Sequence, residues 1–372
     1  MPDAIGQMLT NSVPWGAAAL HRVHALLLRG EVVALPTETV YGLAADATNP
    51  AGVARIFEAK GRPAHNPLIV HVPDTMTHVS ALEAAGLVLH ERVTAPMRRT
   101  ADALITACWP GPLTIILPRG ERLPDIVSGG LPSTGFRMPA HQVMLELLRR
   151  TDFPLAAPSA NRSNRVSPTT AGHVMEELAG RIPLIVDGGP SVVGVESTIV
   201  RIDDDGSVQL LRPGGTPIEQ VERIINGTAR PAPVPGGVIL ASGMMKEHYA
   251  PQTPLLLVHD DTANDLPRRI RAVAATRPVA RVGVLRLDGA PEAPSAWAVG
   301  EIAVVSTVVS LDDGGDGARA AHRLFTALRA LDDGTLDVIL AQFPDASRRG
   351  VWPAIADRLQ RAGARWNVPL HH

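Results

Sequence analysis

The 372-residue chain has one cysteine, Cys108, so neither a disulfide framework nor a cysteine metal cluster can form. Aromatic residues make up only 3%, too few for the stacking platforms that hold single-stranded nucleic acid. Neither sign of charge dominates: 35 Lys and Arg face 37 Asp and Glu, a net −2. That balance excludes a basic nucleic-acid coat and an acidic, tail-driven binder. No apolar run reaches the roughly 20 residues of a membrane span. Residues 1–15 lack the basic and apolar stretches of a signal peptide. The expectation is a cytoplasmic protein with no membrane partner. Lysine is scarce too, since only Lys60 and Lys246 among the 35 basic residues are lysine.

What the chain does have is hydrophobic content of 45%, with 33 Gly and 33 Pro spread along its length. At this length two domains are expected. Short branched runs at 31–35, 67–72, 113–117 and 183–187 read as buried strands. Runs at 197–202 and 208–212 flank the turn cluster DDDGS and predict an antiparallel hairpin. Helical patterns cover about 51–60, 77–107, 141–150 and 170–179, and Pro96 is expected to break the second. Such alternation, with mixed connection lengths, predicts an α/β domain with a partly antiparallel sheet. From 227 to 254 the texture is that of a proline-stiffened linker. It also carries Met244, Met245, Lys246 and the segment HYAP, which a passive spacer does not need. Beyond it, LLLVHD, a helix near 262–276, ARVGVLRL, EIAVVS, a helix at 317–331 and LDVILAQF predict a small doubly wound domain. No G-x-G-x-x-G follows its first strand.

The chain contains no G-x-x-x-x-G-K-[ST], H-E-x-x-H or G-x-S-x-G. His21 and His24 read as surface histidines, and His371–His372 as a tail. Four stretches carry polar residues where α/β sheets place ligands. In PTETVYGLAAD (36–46), Thr37, Glu38 and Thr39 follow a strand end, where a capped turn is the equal alternative. In AKGRPAHNPLIVHV (59–72), Lys60 offers a compact point charge and Arg62 a planar fork for phosphate or carboxylate. A solvated basic turn explains these as well, and a lone His71 within a strand is ordinarily a core residue. In LAAPSANRSNRVSPTT (155–170), hydroxyls, amides and backbone N–H groups could cradle an anion, although Ser/Asn loops are common without one. In VGVESTIV (193–200), Glu196, Ser197 and Thr198 open a strand.

In order along the chain, PTETVYGL, the K-x-R of KGRP, NPLIVH, WPGPLT, FRMP, PSAN…SPT and ESTIV resemble the YrdC-like domain of threonylcarbamoyl-AMP synthases. The resemblance covers roughly residues 13–215, and HYAPQTPL with the C-terminal residues beyond it resembles the longer, two-domain form of the family. It implies a YrdC-like twisted mixed sheet with helices (13–215), a linker or lid (216–254) and a Rossmann-like α/β domain (255–372). It further implies synthesis of threonylcarbamoyl-AMP and pyrophosphate from L-threonine, bicarbonate and ATP. The product would pass to a separate tRNA-modifying transferase, without direct tRNA binding by this chain. The alternative is a YrdC-like RNA-binding module without catalysis. By position in the family pattern, Thr39, His71, Arg137, the backbone of Ala157, and Ser197 would hold threonine. Arg62, Asn66, Ser133, Ser159, Ser167 and Arg212 would hold ATP, with Asn161 ordering the SAN loop. Lys60 would face bicarbonate or phosphate, and His248 and Tyr249 would close over the nucleotide. Mg²⁺ would arrive with ATP, held by phosphate oxygens and water rather than by side chains.

The chain departs from the family at two places. Asn164 stands at a turn that expects glycine, and asparagine tolerates left-handed geometry. Met245 and Glu247 stand where the family has basic residues before HYAP.

Overall fold

The computed structural model describes residues 8–231, 248–259, 273, 279, 281–287, 304–311 and 317–366. The chain divides into two compact units, Met1–Ser163 with Ser167–Met244, and Asn164–Val166 with Met245–His372. Among the described residues no helix is long and apolar enough to cross a membrane.

The first unit is built on strands β1 (Asn11–Pro14), β2 (Val33–Leu35), β3 (Gly42–Asp46), β4 (Ile69–His71), β5 (Leu113–Pro118), β6 (Ser133–Arg137), β7 (Leu155–Ala156), β8 (Leu184–Asp187), β9 (Thr198–Ile202), β10 (Val208–Arg212) and β11 (Arg230–Pro231). They join in the order β1-β8-β2-β3-β7-β4-β6-β5-β9-β10-β11. Pairing is mixed: β4 runs parallel to β6 and β5 to β9, while β2–β3, β4–β7, β5–β6 and β9–β10 are antiparallel. This is the mixed sheet that the connection lengths predict, and the DDDGS hairpin is present.

Both faces of the sheet's first half are covered. Val33 and Leu35 pack with Leu20, Val23 and Leu27 of the Ala17–Leu28 helix. Ala34, between them, joins a second cluster with Val53 and Ile56 of the Pro50–Lys60 helix. The period-two alternation therefore separates two cores, which is why β2 reads as a continuous apolar run.

The expected helix at 77–107 is resolved differently from the Pro96 break. Helix Val79–Ala84 ends first, a 3₁₀ turn covers His90–Arg92, and a new helix runs Ala95–Cys108. Pro96 lies in the first turn of that last helix, capped by Thr94, whose Oγ1 accepts from Met97 N–H at 3.2 Å. A proline in a first turn has no intrahelical hydrogen bond to lose, so Pro96 starts a helix instead of ending one.

The second unit has strands β12 (Leu255–Val258), β13 (Arg281–Arg286), β14 (Val304–Ser310) and β15 (Val338–Gln342), ordered β12-β15-β13-β14 with every pairing parallel. Helix Gly317–Leu331 buries Ala321, Leu324, Leu328 and Leu331, the face its spacing predicts. Helix Trp352–Ala362 is an addition to the elements expected from the sequence. The expected helix near 262–276 lies outside the described residues save Val273, and Met244, Met245, Lys246 and Glu247 lie outside them entirely.

Candidate active site

The site is assembled from loops at strand ends. After β2, the Thr37 hydroxyl donates to Val40 O at 2.6 Å and accepts from the N–H groups of Thr39 and Val40, both at 3.2 Å. One side chain thus closes the turn that presents Glu38 and Thr39. β3 returns along the PSAN segment: Leu43 N–H donates to Pro158 O and Ala160 N–H to Tyr41 O, each at 2.8 Å.

Register then brings the second group together. His71 of β4 pairs with Arg137 of β6. The Arg137 guanidinium donates through Nη1 to Thr39 Oγ1 at 3.0 Å and through Nε to Gly111 O at 3.2 Å. Its Nη2 lies 2.6 Å from Glu38 Oε1. Ala157 N–H donates to Ile69 O, so the Ala157 backbone is held beside β4. Burial, and then the charge of Arg137, push His71 down to about 3, so its ring is neutral at any physiological pH. Its Nδ1 meets no hydrogen-bond partner among the described residues.

Ser197 directly precedes β9, where its Oγ lies 2.8 Å from Thr114 Oγ1 of the adjoining β5. Arg212 donates through Nη2 to Ser197 O at 2.8 Å and to Ser197 Oγ at 3.2 Å. The chain after Arg212 passes so close that a Cβ on Gly214 would fall 2.3 Å from Thr198 N, which only glycine permits. Ser167 donates to Glu196 Oε1 at 2.5 Å, and both side chains are buried.

Lys60 ends the Pro50–Lys60 helix and is 3% exposed. Its ammonium donates to Ser159 O at 2.5 Å and to Asn161 O, while Ser163 N–H donates back to Lys60 O at 2.8 Å. Burial and the neighbouring Arg62 hold its pKa well below the ordinary lysine value. Its two donated hydrogen bonds therefore shape the PSAN loop, a role the motif alone does not suggest. Arg62 donates through Nε to Asn66 O, and through Nη2 to Asn66 Oδ1 at 2.7 Å and Pro67 O at 2.8 Å. Ser133 opens β6 and lines a cleft of about 550 Å³ with Arg92, Ile116, Arg201 and Arg230.

His71 and Arg137 end the paired strands β4 and β6, and Ala157 follows β7 beside β4. Thr39 reaches Arg137 from the turn after β2, and Ser197 precedes β9 of the same sheet. Arg62 with Asn66, and Lys60 with Ser159 and Asn161, form adjoining loop groups. His248 and Tyr249 belong to the second unit, where Tyr249 stacks on Phe325 at 5.8 Å and lies under the Arg358 guanidinium at 5.0 Å. The sequence marks Glu38 and Glu196 only as polar neighbours. A carboxylate flanked by two threonines at a strand end is the available signal. Among the described residues no group of three or more His, Cys, Asp and Glu is placed to hold a metal ion.

Residues 25–214 match the family model described as Telomere recombination (Sua5, YciO and YrdC), and residues 216–364 match that of the threonylcarbamoyl-AMP synthase C-terminal domain. A threonylcarbamoyl-AMP synthase of Bacillus subtilis is 40% identical over 97% of this chain and 96% of its own. One from Pyrococcus abyssi is 38% identical over 92% of this chain and 93% of its own. Two solved structures of the Pyrococcus abyssi protein, Sua5, superpose over nearly the whole chain. One is a complex with L-threonine (TM-score 0.77, 35% identity, 96% of this chain and 97% of that one). The other is a variant with an adjacent His–Tyr pair changed to alanine (TM-score 0.80, 34% identity, 98% and 99%). The chain belongs to the threonylcarbamoyl-AMP synthase family.

Proposed function

We propose that this chain is a nucleotidyltransferase that converts L-threonine, bicarbonate and ATP into threonylcarbamoyl-AMP and pyrophosphate. The observation that carries the reading is the buried cluster of Thr39, His71 and Arg137, in a chain similar throughout to a Sua5 solved with L-threonine. The reactants are anions or bear carboxylates, so the protein's work is to neutralise charge and align them. Arg137 takes the α-carboxylate of threonine through the rigid fork of its guanidinium. Neutral His71 and the hydroxyls of Thr39 and Ser197 contact the remaining polar groups, together with the Ala157 backbone. Arg62, Asn66, Ser133, Ser159, Ser167 and Arg212 hold ATP, and the linker's His248 and Tyr249 are assigned to the same nucleotide. Lys60 faces bicarbonate or the phosphates, and Asn161 keeps the loop in order.

The N-carboxylate of threonine then attacks the α-phosphorus, and pyrophosphate leaves with its charge balanced by the surrounding cations. Mg²⁺ would arrive with ATP and be held by phosphate oxygens and water rather than by side chains, where it would neutralise phosphate charge. No nucleophilic side chain is needed, and the threonylcarbamoyl group is passed in the cytoplasm to a separate tRNA-modifying transferase. The test is pyrophosphate release with each reactant omitted in turn. Release is expected only with ATP, threonine and bicarbonate together, and release indifferent to threonine overturns the substrate assignment. An affinity for RNA that falls steeply with salt and ignores ATP would instead favour the non-catalytic module.

A further inference from the structure

The buried Glu38 carboxylate has an ion-pair partner in Arg137 but is not needed to hold its own turn. Thr37 closes the turn on its own, and the Glu38 backbone is fixed by Val193 N–H, which donates to its carbonyl at 2.7 Å. The Glu38 side chain is only 6% exposed, yet neither carboxylate oxygen receives a hydrogen bond from a described residue. Buried carboxylates ordinarily collect donors, because the desolvated charge is otherwise uncompensated. Among the described residues the cation against it is Arg137, 2.6 Å away but without hydrogen-bond alignment. His141 also feels its charge, but burial favours the neutral ring and its Nδ1 accepts from Val143 N–H. His71, beside Arg137, is neutral as well.

The arrangement is one buried cation and one buried, donor-poor anion side by side, flanked by the hydroxyl of Thr39. Its chemical complement is a zwitterion: a carboxylate for Arg137 and an ammonium for Glu38. We propose that Glu38 holds the α-ammonium of threonine and takes one proton from it, freeing the amine to attack bicarbonate. This rests on the threonine assignment above. The N–H bond breaks and the proton passes to the Glu38 carboxylate. The amine nitrogen then forms a bond to the bicarbonate carbon, one C–O bond breaks, and that oxygen leaves as water with a second amine proton. The products are the N-carboxylate, water and a protonated Glu38, so charge and atoms balance. Glu38 returns its proton to solvent when the product leaves.

Glu38→Gln keeps the shape and removes the base. Its kcat/KM for threonine is expected to fall at least 100-fold near neutral pH. Its log kcat/KM is also expected to climb more steeply with pH than that of the wild type, by about one log unit per pH unit, because threonine must then arrive already deprotonated. Calorimetry with 3-hydroxybutyrate, which is threonine without its α-amino group, gives a readout independent of turnover. The wild type should prefer threonine, and Glu38→Gln should lose at least fivefold of that preference. A loss of rate with an unchanged pH slope, or an intact preference for threonine, overturns the proposal. Should Glu38→Gln fail to fold, Glu38→Asp decides. The wild-type pH slope at a lowered rate supports the role, whereas a wild-type rate with no preference for threonine contradicts it. Failure of the wild type itself to bind threonine would defeat the substrate assignment, and with it the Glu38 role, whereas wild-type binding with an unchanged pH slope in Glu38→Gln would defeat the Glu38 role alone.

Discussion

Lys60 shows how much one side chain can determine. It is one of two lysines in the chain, and its ammonium ties the Pro50–Lys60 helix to the carbonyls of Ser159 and Asn161. Lys60→Met keeps the length but strands both acceptors, which should cost about 1–3 kcal/mol, since a buried unsatisfied group bears its full desolvation penalty. Urea unfolding measures that loss, and turnover should fall with it because the PSAN loop loses its brace. His71 makes a different prediction. Its pKa falls from 6.5 in the unfolded chain to about 3 in the folded one, so only the unfolded chain takes up a proton between those values. The stability this withholds is intact above pH 6.5 and is lost as pH falls toward 3, by about 1.4 kcal/mol per unit. His71→Gln should therefore show an unfolding free energy that drops about 2 kcal/mol less than the wild type's between pH 6.5 and pH 5. Equal drops in both proteins would contradict the assignment of a buried neutral ring.

At the scale of elements, Asn164 departs from the family's glycine and adopts φ 66°, the left-handed conformation the sequence allows it. Its carbonyl accepts from Ala250 N–H at 2.8 Å. Asn164→Val should cost about 1–2 kcal/mol, because a β-branched residue clashes in that region, while Asn164→Gly should show no such loss. Urea midpoints of the two variants check this. Strands rich in branched residues, such as β5 and β8, are legible directly. β6 is not, because Ser133, Thr134 and Gly135 carry no strand pattern. The reason is packing: a Cβ on Gly135 would lie 2.9 Å from the Thr114 methyl, so the position beside Ile69 and Ile116 must stay bare. β3 escapes notice for a related reason, since Gly42 and its alanines are small where the chain runs against Ala157. The residues of the PTET, K-x-R and SAN segments are all visible in the sequence. What is not visible is their pairing: that Lys60 braces a loop, and that Arg137 meets Glu38, depends on register between strands far apart in the chain.

At the scale of the molecule, a near-neutral chain surrounds a site whose cations are concentrated inside: Lys60, Arg62, Arg137 and Arg212 are each 7% exposed or less. Buried charges of that kind suit small anionic reactants held out of water, whereas contact with a polynucleotide would need them outside. The two units are joined by a segment rich in proline and glycine, and the second unit carries His248 and Tyr249, the aromatic pair assigned to ATP. The central claim is that one molecule joins threonine, a bicarbonate carbon and an adenylate. The most direct measurement is mass spectrometry of the product made with ¹³C-bicarbonate. The account predicts an adenylate that contains threonine and gains one mass unit from the label. AMP or pyrophosphate formed without threonine, or an adenylate that carries no label, would contradict it.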